Sequence, residues 1–110
     1  TGVLKNALDY AYTEWNKKPA GFVGYGGVGG ARAIEQLRQI SVELQMAPVK
    51  SAVHITLGDF LAVRQGEKKL EEIDHLNQAA HALVNDIVWW ATALKKARDA
   101  EVVEAEAEAA

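Results

Sequence analysis

Apolar positions along this chain alternate between helical spacing and short unbroken runs. Val3, Leu4, Ala7, Leu8, Ala11 and Trp15 recur every three or four residues, with Lys5, Asn6, Asp9 and Glu14 between them. That spacing predicts an amphipathic helix over Gly2 to Asn16, ended by Lys17, Lys18 and Pro19. Ala20 to Tyr25 is a short apolar run bounded by Pro19 and glycines, as a buried parallel strand should be. Ala31, Ile34, Leu37, Ile40 and Leu44 mark a second helix through Met46, stopping before Pro48. Ser51 to Leu57 is β-branched and apolar enough for a second strand. Gly58 to Lys69 reads as a loop holding a short apolar piece, Phe60 to Val63. From Leu70 a long helix follows, carried by Ile73, Leu76, Ala80, Leu83, Ile87, Trp90 and Leu94. Residues 101–110 alternate acids with alanine and carry no base, so they read as an acidic disordered tail, with 1–100 as the folded part.

Strand, helix, strand over Ala20 to Leu57 is a βαβ unit, whose crossover is right-handed in nearly all known cases. Five glycines, Gly24, Gly26, Gly27, Gly29 and Gly30, sit where the first strand passes into the helix. In open α/β sheets ligands bind outside the carboxyl ends of the strands. Glycines there remove side chains, so that backbone N–H groups can approach a flat or anionic ligand.

Composition narrows the partners. A chain of 110 residues, 49% hydrophobic and 25% charged, is the size of one globular domain. A net charge of −3, with its Lys and Arg scattered, leaves no basic footprint for nucleic acid. The chain has no cysteine, hence no disulfide or thiolate metal site, which suits a cytoplasmic setting. No apolar run reaches the length of a membrane span, so no membrane partner is expected. Entry into a helix directly after Thr1 reads as part of a longer protein.

Three readings of the turn follow from the residues. Gly24, Gly26 and Gly29 spell G-x-G-x-x-G, the dinucleotide fingerprint, but the acid expected about 20 positions on is missing at Ala47 to Ser51, and Asp59 lies too far downstream. A turn that only permits close strand-to-helix packing is the second. The third is a bed for a planar ligand on the main chain.

Leu4 to Asp9, "LKNALD", together with Tyr25 to Gly30, "YGGVGG", resembles the NADPH-dependent FMN reductase family of flavodoxin-like enzymes, over Thr1 to about Ile55. "VWWATALKKAR" in the late helix is similar to actinobacterial members. The resemblance implies an α/β fold, the flavodoxin-like three-layer α/β/α arrangement with a five-stranded parallel sheet ordered 2-1-3-4-5. This chain would supply a partial sheet, the last two strands, with three helices. Tyr25, Gly26, Gly27, Val28 and Gly29 match the family loop running along the isoalloxazine ring of FMN. Thr1, Gly2 and Val3 match the end of a second flavin-side loop, whose T-P-E-Y-N-like beginning is absent here. Also absent is the G-S-x-R-x-x-S loop that holds the flavin phosphate. The activity implied is hydride transfer from NAD(P)H through FMN to a small-molecule electron acceptor such as a flavin, quinone or azo compound. A homodimer or homotetramer through the helices over 2–16 and 31–46 is implied as well. The alternative is a non-catalytic piece of that fold that oligomerises, because two parallel strands alone are marginal.

In such chemistry the cofactor carries the reaction, so no catalytic acid or base is expected. No G-x-S-x-G or H-E-x-x-H is present, which argues against a hydrolase or a zinc peptidase. His54 reads as a strand histidine without a partner motif, and His75 and His81, six apart, cannot share a helix face as metal ligands, so no metal site is expected. Glu71 and His75 are spaced as a surface pair. Arg32 falls in the first turn of its helix, within reach of an anion or of solvent. Trp90 continues the core stripe, while Trp89, about 100° round the helix, faces a neighbouring element or subunit.

Overall fold

Residues 2–110 are described by a computed structural model. The order is α1 (Gly2–Tyr10), a 3-10 turn (Thr13–Trp15), β1 (Pro19–Tyr25), α2 (Ala31–Glu43), β2 (Ala47–Ile55), α3 (Leu57–Arg64), a second 3-10 turn (Leu70–Glu72) and α4 (Asp74–Ala109). Thr1, matched above to a flavin-side loop, lies outside the described residues.

β1 and β2 pair in parallel, from Pro19 beside Ala47 to Tyr25 beside Ile55. Alternation along the strands gives each face its own cover. On the side of α2, Phe22, Ile34 and Leu44 are buried, and the Arg38 guanidinium lies 5.1 Å from the centre of the Phe22 ring. Toward α4, Val49 and Val53 form the main core with Ile73, Leu76 and Leu83. Just beyond α1 the Tyr12 hydroxyl donates to the Glu43 carbonyl at the end of α2, at 3.4 Å. Helix, sheet and helix thus make three layers, the partial flavodoxin-like α/β fold expected from the sequence.

The ladder contains one bulge. Ala20 faces Pro48 and Phe22 faces Ala52, so Gly21 alone stands opposite Val49 to Ser51. The polar groups displaced there find side chains: Arg38 donates to the Val49 and Lys50 carbonyls, and the Ser51 amide donates to Asp86 at 3.2 Å. Gly21 also lets α4 come close, since a Cβ there would lie 2.8 Å from Leu83 Cδ1.

The elements depart from expectation at several points. α1 ends at Tyr10 rather than Asn16, where the 3-10 turn takes over and the Trp15 indole donates to the Leu8 carbonyl at 3.0 Å. α2 ends at Glu43 rather than Met46. β2 starts at Ala47, with Pro48 inside it; a proline is tolerated near the start of a strand. Four α-helices replace the expected three, because the loop at Gly58 to Lys69 contains α3. Its origin is a capping box: Asp59 N–H donates to the Thr56 hydroxyl, and Thr56 N–H donates to the Asp59 carboxylate at 2.9 Å.

α4 continues through the acidic stretch expected to be disordered. Alanine and glutamate are strong helix formers, and Lys17 bonds Glu101 at 2.6 Å. A helix of 36 residues is about 54 Å long, which accounts for the 63 Å long axis and a radius of gyration of 17.5 Å, against about 13 Å for a rounded chain of this length. Trp90 is 41% exposed rather than in the core, because α4 outruns the sheet beyond Ile87. Trp89, 65% exposed, packs edge-on against it at 5.3 Å. No helix among the described residues is long and apolar enough to cross a membrane.

His75 on α4 pairs with Asp59, its Nε2 3.1 Å from the carboxylate, and not with Glu71, which lies in the 3-10 turn before α4. Thr56 first, and His75 to a lesser degree, hold the Asp59 carboxyl below the ordinary value of 3.8. A depressed carboxylate stabilises the folded chain fully above its unfolded pKa and progressively less as pH falls through the folded one. We therefore expect the α3 cap to be intact above pH 3.8 and to be lost below it. Amide shifts of Thr56 and Asp59 followed by NMR through that range should report the loss, and Asp59→Asn should remove the transition.

Candidate functional site

β1 ends at Tyr25 and α2 begins at Ala31, so the chain turns from strand to helix over Gly26 to Gly30. Gly26 N–H still donates to the Ile55 carbonyl at 3.1 Å, extending the ladder by one bond. Gly29 N–H donates back to the Gly26 carbonyl at 3.0 Å, closing a four-residue turn centred on Gly27 and Val28. Ala31 N–H donates to the Val28 carbonyl at 3.2 Å and closes a second turn, whose central residues Gly29 and Gly30 have φ of +63° and +69°. Paired positive φ is the signature of a type I′ turn. Ile34 N–H to the Gly30 carbonyl, 3.0 Å, is then the first bond of α2.

Two of these glycines separate what the fold needs from what a ligand needs. Gly29 is required by the fold: its φ is positive, and a Cβ there would lie 2.6 Å from His54 Cβ. Gly27 is not: its φ is not positive, and nothing lies within 4 Å of an added Cβ. Among the described residues the amides of Gly27 and Val28 have no acceptor, and both residues are exposed. Two unbonded donors therefore stand at the tip of the turn, at the carboxyl end of β1, with open space beside them. Tyr25, 76% exposed, flanks the tip at the strand end.

The structure adds one residue that sequence reasoning left out. His54, on β2 opposite Gly24, places Nδ1 2.8 Å from the Gly29 carbonyl. The only signal available was the parallel register, which brings the end of β2 under the turn. The dinucleotide reading loses its remaining acid: Asp59 caps α3 and pairs with His75, four residues beyond the end of β2 rather than at its tip. Arg32 is exposed in the first turn of α2.

Fold and turn together define a flavodoxin-like α/β protein with two unbonded main-chain donors at the tip of its strand-to-helix turn. The family model of NADPH-dependent FMN reductases matches residues 1–59, more than half of the chain, and the chain belongs to that family. An NAD(P)H-dependent FMN reductase of Schizosaccharomyces pombe is 43% identical over 53 residues, covering 46% of this chain and 26% of its own. One from Nectria sp is 37% identical over 70 residues, with 59% and 35% covered. One from Saccharomyces cerevisiae is 45% identical over 56 residues, with 50% and 29% covered. The chain thus spans about a quarter to a third of the length of these relatives. No solved structure matches it.

Alanine substitutions should separate the two kinds of glycine. Gly29→Ala, strained in φ and pressed against His54, is expected to destabilise the protein by more than about 1 kcal/mol. Gly27→Ala should change stability by no more than about 0.5 kcal/mol. Urea unfolding of the two variants measures the difference.

Proposed function

We propose that this chain carries the ring-side flavin segment of an FMN-dependent NAD(P)H oxidoreductase. The observation that carries the reading is the free amide pair of Gly27 and Val28, beside a glycine whose lack of a side chain serves no contact within the fold. Tyr25, Gly26, Gly27, Val28 and Gly29 would line the ring edge, the two amides donating to its polar atoms and Tyr25 and Val28 walling the sides. Such a site fits a planar acceptor-bearing group better than a compact anion, since no basic side chain is bonded into the turn.

Bound FMN supplies the chemistry, taking a hydride from NAD(P)H and delivering reducing equivalents to a flavin, quinone or azo-type acceptor. The chain's own part is to hold the ring by donors that need no reorganisation and to leave its face open to both substrates. Membership of the FMN reductase family, and the activity for which the three relatives are named, support this.

A homodimer or homotetramer through the helices over 2–16 and 31–46 accompanies the proposal. α1 buries no residue, and Val3 and Tyr10, 83% and 86% exposed, lie seven apart on one face of it. Val42 is exposed on the neighbouring α2. Apolar and aromatic surface of this kind is what subunit contacts use.

FMN titrated into the full-length protein should lose fluorescence, and NAD(P)H should be oxidised when an acceptor is added. Gly27→Val, which screens the two amides, is expected to weaken FMN binding about ten- to hundredfold without lowering the melting temperature. Neither quenching nor NAD(P)H oxidation by the full-length protein would overturn the reading. Separately, Tyr10→Asp should lower the mass measured by light scattering.

A further inference from the structure

We infer that His54 is a positioning residue that sets the glycine turn in its binding shape, an inference that rests on the flavin reading above. Its Nδ1 lies 2.8 Å from the Gly29 carbonyl. A carbonyl can only accept, so Nδ1 carries the proton in this contact, whether the imidazole is neutral or charged. Gly29 is one of the two residues that the turns share, with Val28: its N–H closes the first on Gly26, and its own φ of +63° opens the second. Fixing its carbonyl to β2 fixes the peptide plane between Gly29 and Gly30, and with it the tip formed by Gly27 and Val28.

The turn has little else to hold it. Four of its five residues are glycine, the residue with most backbone freedom to lose. Among the described residues His54 is the one side chain hydrogen-bonded to any backbone group of residues 26–30. It is also the floor, since its Cβ stands where a Gly29 side chain would go. His54 acts through Gly29: by ordering the donors before the ligand arrives it lowers the entropic cost of binding.

Three measurements on the full-length protein test this. Without FMN, at a pH where the imidazole is neutral, long-range ¹⁵N–¹H spectra should show the Nδ1–H tautomer of His54; the Nε2–H tautomer would overturn the inference. His54→Leu should weaken FMN binding about three- to tenfold, the worth of one hydrogen bond, and His54→Asn, whose amide can donate from nearly the Nδ1 position, should restore most of it. Equal affinity in wild type and His54→Leu, or no rescue by His54→Asn, would count against the role. Amide hydrogen exchange at Gly29 and Ala31, the two donors that close the turns, should quicken in His54→Leu and not in His54→Asn; unchanged exchange in both would also overturn it. Should wild type bind no FMN, the flavin reading fails, while tautomer and exchange still decide whether His54 fixes the turn.

Discussion

Parallel pairing of two consecutive strands is the constraint from which the rest of this structure follows. Two such strands cannot be joined by a hairpin, so the chain must leave β1, cross over the sheet as α2 and re-enter at the start of β2. The crossover begins in five residues, Gly26 to Gly30, while Gly26 is still bonded to Ile55. A turn that abrupt takes positive φ at three of its five residues, Gly26, Gly29 and Gly30, and leaves its tip amides without partners. The same geometry that lets the fold exist therefore creates a place where backbone donors face outward at the strand ends.

α4 holds this arrangement together from the other side. Leu76 and Leu83 press on Val49 and Val53, and Ile87 reaches Gly21, so one helix braces both strands. Arg98, further along, donates to the Lys17 carbonyl just ahead of β1. The result is a βαβ unit whose turn is framed by β2 below and α2 beside it.

Much of this was legible along the chain. Ala20 to Tyr25 and the helix from Ala31 stand out because Pro19 and the glycines bound them sharply, and the turn is visible in its own composition. β2 was harder to start, because Pro48 reads as a break when its neighbours are unknown, whereas near a strand's beginning its missing N–H costs little. α3 is weakly amphipathic and contains Gly58, yet Thr56-x-x-Asp59 announces its cap and could have been found. Trp90 keeps the helical rhythm of Leu83 and Ile87, but rhythm does not say where the sheet stops. The candidate residues from Tyr25 to Gly29 are contiguous and can be named from the sequence; His54 is 25 residues from Gly29 and joins them only through register.

The bulge opposite Gly21 makes the sheet one-sided. On β2, the three-for-one mismatch at Val49 to Ser51 spoils the even spacing of N–H and C=O groups that another chain would need, and Arg38 and Asp86 occupy what is left over. A strand approaching the β2 rim, from the same polypeptide or from a neighbouring molecule, meets the Arg38 and Asp86 side chains where a regular ladder would offer free backbone groups.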